Sequence, residues 1–278
     1  MSNDIFNKPD SPPPQQIQNN VAPRYVEVPS DIVPLPSRGL VYPMGHPLSN
    51  EETIDLKPMS AVEENILTSK PLIKKGTVLT ELLNACILNK TIDSNLMLAG
   101  DRNACLMAIR VSGYGSDYAV KITCPHCDHK FEHVFNMNNL KIKSLGATPI
   151  SPNVNEFFYE LPVSKKQLTF KLLNGYDEAE MGKFIEGKKK INPDVETNVT
   201  GKLYASVVSI DGERDKDKLL KMIEGMRAGD ARALRKYMND IEPNVDMRQS
   251  FVCPSRDCFQ KSEVDVPIGT SFFWPDLS

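Results

Sequence analysis

The sequence lacks several features that would indicate a membrane protein or an enzyme of a common class. It has no apolar run that approaches the ~20 residues needed by a helix that crosses a bilayer. It has no glycine-rich phosphate loop followed by lysine, no nucleophile elbow and no His-Glu-x-x-His helix. The sequence therefore gives no support to stable membrane insertion, nucleotide hydrolysis, α/β-hydrolase chemistry or zinc-dependent proteolysis, and we expect neither catalytic residues nor a small-molecule substrate.

Positive charge is not in excess either. The chain has 33 lysines and arginines against 36 aspartates and glutamates, which gives a formal net charge of −3. A protein built around phosphate contacts needs a basic surface, so the composition disfavours a nucleic-acid partner. No signal peptide is recognisable, and the six cysteines then suggest a reducing, cytoplasmic compartment in which metal binding is commoner than disulfide formation.

Four of the six cysteines form two close pairs. Cys124 and Cys127 are separated by two residues, Cys253 and Cys258 by four, and each pair begins with Cys-Pro, whose fixed φ helps to set a tight turn. Segments with the alternation of β-strands flank both pairs, at 118–123, 130–135, 247–252 and 262–266. Two hairpins that present four thiolates to one ion form a zinc ribbon. The sequence therefore predicts a structural zinc site made of Cys124, Cys127, Cys253 and Cys258.

Other interpretations of the first cysteine pair stay open. Cys-Pro-His-Cys is also an active-site sequence of thiol-disulfide oxidoreductases, in which a helix N-terminus stabilises the reactive thiolate. The residues after Cys127 alternate as a strand does, which disfavours that class. A nearby histidine could replace one cysteine ligand: His126, His129 or His133. Cys86 and Cys105 fall on apolar faces of predicted helices, so we expect them to be small core residues.

We predict an α+β fold, with a zinc-ribbon-like pair of β-hairpins, an N-terminal helical segment and an inserted α+β unit. Eleven of the 21 prolines lie within the first 58 residues. Residues 1–21 are too polar to bury enough apolar surface for a fold, and residues 25–47 alternate prolines with apolar residues, which predicts an extended arm that lies over a surface. The predicted segments are a disordered tail (1–24), an extended arm (25–50), a helical segment with the first knuckle (51–136), an inserted α+β domain (137–246), and the second knuckle with a C-terminal tail (247–278).

Local signals place the elements within these segments. Ser60 and Glu63 form a capping box at the start of one helix, Asp101 is predicted to cap another, and Gly113 is predicted to stop it. In the insertion, we expect strands at 157–161 and 167–173 and helices at 177–187, 200–209, 216–226 and 231–241.

The C-terminal tail carries three consecutive aromatic residues, Phe272, Phe273 and Trp274. We expect an extended segment in which Phe272 and Trp274 share one face. The two side chains could close the core beside the ribbon, or they could anchor a partner protein.

The blocks of sequence in this chain, taken in order, resemble the baseplate hub assembly proteins of T-even-like contractile-tailed bacteriophages. The resemblance rests on Leu-Pro-Ser-Arg-Gly-Leu-Val-Tyr-Pro at 35–43, on the first cysteine pair, on Phe-Val-Cys-Pro at 251–254, and on further blocks at 56–59, 64–68, 100–104, 109–115 and 272–275. It implies a non-enzymatic role in building the hub, as a hub component or an assembly chaperone. It also implies hub proteins as partners, and the host cytoplasm or the virion tail as the location.

The alternative function is that of a zinc-ribbon nucleic-acid-binding protein, since ribbons often serve that purpose. Such a protein would gather basic and aromatic residues near its knuckles. The residues near these knuckles are mixed to acidic instead: Asp128, Glu132, Asp257, Glu263 and Asp265.

Overall fold

The computed structural model describes residues 31–191, 197–266 and 270–273. These ranges contain nine α-helices: α1 Ala61–Leu67, α2 Lys70–Lys75, α3 Val78–Cys86, α4 Ala99–Tyr114, α5 Gly175–Ile191, α6 Asn198–Ser206, α7 Lys216–Glu224, α8 Ala228–Ile241 and α9 Thr270–Phe273. They also contain eleven strands: β1 Asp31–Pro34, β2 Thr53–Leu56, β3 Asp117–Thr123, β4 Lys130–Asn136, β5 Lys141–Lys143, β6 Phe157–Glu160, β7 Gln167–Phe170, β8 Val207–Ile210, β9 Asn244–Asp246, β10 Arg248–Val252 and β11 Lys261–Asp265. The described sheets are small and antiparallel, so the predicted α+β class is confirmed.

The described part of the arm is a strand followed by turns. β1 pairs with β2, and the N–H of Leu35 extends the pairing by donating to the carbonyl of Glu52 at 2.8 Å. Val33 and Leu35 are buried, which anchors this strand in the core. The predicted tail 1–24 and the first residues of the arm lie outside the described residues.

The capping box at α1 is confirmed. The Ser60 hydroxyl accepts from the N–H of Val62, and the Glu63 carboxylate accepts from the N–H of Ser60 at 3.0 Å. Lys57 also donates to Glu63 at 2.6 Å. Cys86 and Cys105 are both fully buried, as predicted.

The predicted ends of the next long helix were wrong. α4 begins at Ala99, so Asp101 lies inside its first turn, where it is fully buried. Asp101 accepts hydrogen bonds from Ser37 N–H (2.9 Å), Ser37 Oγ (2.5 Å) and the Tyr42 hydroxyl (2.7 Å), so it fixes the arm instead of capping the helix. Helix α4 also continues through Gly113 to Tyr114, and Gly115, with φ of 83°, follows its last turn.

The inserted unit contains three strands that the sequence did not predict, the short β5 and β9 at its ends and β8 within it. β6 and β7 pair as expected, but the predicted helix 200–209 ends at Ser206, and Val207–Ile210 adds as β8 to the edge of β7. The β-branched residues Val207, Val208 and Ile210 favour a strand there. Helix α5 begins at Gly175 and continues through Gly187, its predicted end, to Ile191, because a glycine in a helix interior costs only about 0.5–1 kcal/mol.

The inserted unit packs against the helical segment. β5 and β9, at its two ends, pair with each other. The N–H of Ala99 donates to the carbonyl of Leu173 at 3.0 Å, and Arg102 forms a 2.9 Å ion pair with Glu178. Buried residues from the arm, the helices, the insertion and both hairpins form one hydrophobic cluster.

The described part of the C-terminal tail is a helical turn, so the extended conformation predicted for it was wrong. In α9, Phe272 and Phe273 are both buried, whereas Trp274 lies outside the described residues. The buried Arg110 donates from Nε to the Phe272 carbonyl at 3.3 Å and also donates to the carbonyls of Gly115 and Asp117. No helix within the described ranges is long and apolar enough to cross a membrane.

Candidate metal centre

The first cysteine pair lies at the tip of the hairpin made by β3 and β4, which are paired over their full length. Cys124 follows β3, and its N–H donates to the carbonyl of His129 at 2.9 Å. The N–H of Asp128 donates back to the carbonyl of Cys124 at 3.0 Å, and Asp128 has a positive φ of 56°. These bonds turn the chain so that Cys127 returns toward Cys124.

The second pair repeats this turn at the tip of the hairpin made by β10 and β11. The N–H of Cys253 donates to the carbonyl of Gln260 at 3.0 Å. The N–H of Phe259 donates to the carbonyl of Ser255 at 3.3 Å, and Phe259 has a positive φ of 49°. Ser255 thus occupies the place in the turn that Cys124 occupies in the first knuckle. The two additional residues between Cys253 and Cys258 precede the turn. Cys258 therefore occupies the same position relative to its turn as Cys127 does in the first knuckle.

The two tips bring the four sulfur atoms together. All four Sγ atoms lie within 4.8 Å of one another, and the pairs Cys124–Cys258 and Cys127–Cys253 are 3.9 and 3.7 Å apart. In a tetrahedral site with zinc–sulfur bonds of about 2.3 Å, sulfur atoms lie about 3.8 Å apart. The arrangement of the cysteines therefore fits one zinc ion.

The surroundings of the four sulfur atoms favour the thiolate form of Cys124 and disfavour that of Cys127. Cys124 and Cys253 are fully buried, whereas Cys127 is exposed. Hydrogen bonding from the backbone of His126, joined by that of Cys127, lowers the pKa of Cys124 to about 7. The pKa of Cys127 is raised to about 12, because desolvation and the other three sulfurs outweigh a hydrogen bond from the backbone of His129. Four close thiols cannot all ionise without a cation, and a bound metal ion would supply that charge.

The histidines near the first knuckle are not members of this cluster, which consists of four cysteines. The ring of His129 is stacked on Phe131, with centroids 5.8 Å apart, and the ring of His133 contacts Phe135 edge to face at 4.6 Å. Residues 130–136 form a strand, so the helix that an oxidoreductase active site uses to stabilise its thiolate does not follow Cys127.

The sequence analysis missed the aromatic contacts that join the two hairpins. The ring of Phe251, on β10, lies 5.6 Å from Phe131 and 6.0 Å from His133, both on β4. The available signal was the alternation of β4, which puts residues 131, 133 and 135 on one face. These contacts help to hold the two knuckles against each other.

Comparison with known proteins agrees with the resemblance found in the sequence blocks. Residues 42–274, which include all four cysteines of the cluster, match the family described as T4 bacteriophage base plate protein. No curated protein and no solved structure matches the chain.

Proposed function

The chain belongs to the T4 bacteriophage base plate protein family, and on that premise we propose that it serves, without catalysis, in building the central hub of the phage tail. Its role would be that of a hub component or an assembly chaperone that binds hub proteins, in the host cytoplasm during assembly or in the virion tail. The observation that carries this proposal is the family match over residues 42–274.

We further propose that zinc braces the protein through Cys124, Cys127, Cys253 and Cys258. A site with four thiolate ligands is closed, so it leaves no coordination position for a catalytic water. Bound zinc would supply a cross-link between residues 124 and 258, which lie on separate hairpins. Structural zinc contributes folding free energy because the unfolded chain has no preformed site.

Exposed apolar side chains on the ribbon support the proposal that a partner protein binds to this part of the chain. Phe259 is 62% exposed at the tip of the second knuckle and holds a left-handed backbone conformation that is unfavourable for a bulky residue. Val252 and Val134, on β10 and β4, are also more than half exposed. Exposed aromatic residues are enriched in the hot spots of protein interfaces, which suits a protein that recognises another tail component.

The zinc proposal is tested by metal analysis of protein purified without chelator. We expect one equivalent of zinc per chain, and Cys258→Ser should lose most of it and unfold at a lower temperature. The control is Cys105→Ala, which alters a buried cysteine outside the cluster and should keep the zinc. Less than about half an equivalent in the unaltered protein would contradict the assignment.

The hub proposal is tested by co-expressing the chain with the hub proteins of its phage and purifying the complex. We expect co-purification, and we expect Phe259→Gly to weaken it without lowering the thermal stability. Mass spectrometry of purified particles then separates a hub component, which remains, from a chaperone, which is found only in infected cells. Binding to DNA in a gel-shift assay, with no capture of hub proteins, would instead support the nucleic-acid alternative.

A further inference from the structure

The sulfur atoms of the cluster form two close pairs, and each pair joins one hairpin to the other. The Sγ of Cys127 lies 3.7 Å from that of Cys253, and the Sγ of Cys124 lies 3.9 Å from that of Cys258. A disulfide has an S–S distance of about 2.05 Å, so each pair has to close by less than about 2 Å. The members of the two pairs are 126 and 134 residues apart in the chain, so each bond would join distant segments.

Access to solvent differs within each pair in the same way. Cys124 and Cys253 are fully buried, whereas Cys127 is exposed and Cys258 is half-buried. Oxidation of a cysteine needs its thiolate form and contact with the oxidant. Metal coordination keeps cysteine ligands in the thiolate form. Each pair therefore combines one sulfur that an oxidant in solution reaches with one sulfur that it does not reach directly.

We propose that the cluster is a site of oxidative modification, at which hydrogen peroxide produces two disulfides between the hairpins, Cys127–Cys253 and Cys124–Cys258. These bonds would link the two knuckles directly, without the metal.

Each disulfide forms in two steps. The accessible thiolate attacks one oxygen of the peroxide, the O–O bond breaks, and the departing hydroxide takes a proton from solvent and leaves as water. The buried sulfur then attacks the sulfur of the resulting sulfenic acid, forms the S–S bond and releases a second hydroxide, which also takes up a proton. Two thiolates, two protons and one hydrogen peroxide thus give one disulfide and two waters, and the sulfurs lose the two electrons that the peroxide gains.

The oxidised form would keep the two hairpins joined after the metal is lost. A disulfide has no thiolate to bind zinc, so oxidation releases the ion. A disulfide within one hairpin would leave the knuckles unlinked, whereas both proposed bonds cross between them. In a chain that passes from a reducing cytoplasm into a free particle, the ribbon would stay closed in both surroundings. Only this last step rests on the proposed function, and the pairing of the cysteines does not.

The first test treats the folded, full-length protein with hydrogen peroxide, blocks the remaining thiols and maps the disulfides by mass spectrometry without reduction. Trypsin cleaves after Arg256 and so separates Cys253 from Cys258, and fragmentation between Cys124 and Cys127 assigns the partner of each. We expect Cys127–Cys253 and Cys124–Cys258, with zinc released in step with disulfide formation. Any other pairing, disulfides between molecules, or sulfinic acids without disulfides would overturn the proposal.

Two cysteines outside the cluster provide the internal control for this test. Cys86 and Cys105 are fully buried and should stay reduced, which shows that the protein remained folded during the treatment. If metal analysis finds no zinc in the protein, the same mapping still tests the pairing. The zinc proposal and the disulfide proposal therefore fail separately.

The second test measures whether the bond between the hairpins stabilises the protein. Among the cluster cysteines, the double variant Cys124→Ser/Cys258→Ser keeps only Cys127 and Cys253, and the matched control Cys253→Ser/Cys258→Ser keeps only the pair of the first hairpin. Both are unfolded by heat with chelator present, before and after oxidation. Oxidation should raise the unfolding temperature of the first variant by about 5 °C or more and that of the control by much less, because a cross-link stabilises more when it closes a longer loop. Equal shifts in both variants, or no shift in either, would overturn the proposed link.

Discussion

Two buried acidic residues show what a sequence reveals about single side chains. Glu63 has partners close in the chain, at Lys57 and Ser60, so a local motif predicted part of its role. Asp101 was misassigned because its partners, Ser37 and Tyr42, are about sixty residues away. Burial raises the pKa of Asp101, whereas the hydrogen bonds of Glu63 lower its pKa.

Glu63 should make stability depend on pH. Desolvation alone would raise its pKa, but hydrogen bonds from Lys57 and Ser60 lower it from 4.5 to about 2. A lowered folded-state pKa contributes stability above pH 4.5 that is lost as the pH falls toward about 2. We therefore expect Glu63→Gln to cost about 1–3 kcal/mol at pH 7.

Urea unfolding at several pH values checks this prediction. The stability difference between Glu63→Gln and the unaltered chain should narrow steadily below pH 4.5. Glu81→Gln is the control, since Glu81 is exposed in the first turn of α3 and should change stability by less than about 0.5 kcal/mol. A difference for Glu63→Gln that stays constant across the range would contradict the assigned pKa.

The four cysteines were the part of the candidate site that could be found by sequence alone. Their close spacing and flanking strands are local features, and the fold brings their sulfurs together. The equivalence of Ser255 and Cys124 in the two turns could not be found, because it depends on backbone hydrogen bonds. The packing of Phe251 on the other hairpin depends on how two distant parts of the chain meet.

At the scale of elements, most helices and strands were predicted. The errors include three missed strands (β5, β8 and β9), the helical turn α9 where an extended segment was expected, and the ends of α4 and α5. For β8 a tertiary contact decided the outcome. β8 became a strand because β7 offers it an edge, although its residues follow a helix directly. A glycine that ends a helix commonly has a positive φ. Gly187 in α5 and Gly113 in α4 do not have one, and both helices continue through them.

Two helical glycines should respond to alanine in opposite directions. A Cβ on Gly100 would lie 1.8 Å from the carbonyl oxygen of Pro243, so α4 approaches the end of the insertion closely there. A Cβ on Gly187 would meet nothing within 4 Å. We expect Gly100→Ala to destabilise by about 1–3 kcal/mol and Gly187→Ala to stabilise by about 0.5–1 kcal/mol. Thermal unfolding of both variants measures this, and a shift of the same sign in both would contradict the described packing.

Helix α9 should matter through folding. The ring of Phe272 is fully buried, lies edge to face 5.2 Å from Tyr118, and has the Arg110 guanidinium 5.8 Å from its centroid. This favours the core interpretation of the tail over the partner-anchor interpretation. Phe272→Ala should cost about 3–5 kcal/mol, whereas Phe158→Ala, at a half-exposed ring on β6, should cost much less. Stability is measured by chemical unfolding. Equal stability of the two variants would contradict the core interpretation and support the interpretation that the tail anchors a partner protein.

At the scale of the whole molecule, two kinds of link hold the ribbon. The bases of the hairpins are in the shared core, through Tyr118 and Phe135 of the first and Val266 of the second. The tips carry the cysteines and have fewer buried side chains, since Phe259 and most of β4 are exposed or half-exposed. Bound zinc would therefore order the tips, while hydrophobic burial stabilises the remainder.

Removing the metal should accordingly open the tips without unfolding the protein. After chelation at pH 7, we expect rapid hydrogen exchange at 121–132 and 252–261, together with a lower unfolding temperature. The amides of Leu82 and Leu83, which are fully buried in α3, should stay protected because their burial does not involve the cysteines. Cys258→Ser should reproduce this pattern without chelator, which excludes a general effect of the reagent. Loss of protection at Leu82 and Leu83 as well would show that the whole fold needs the metal. Unchanged protection at the tips would show that the metal does not link the two hairpins.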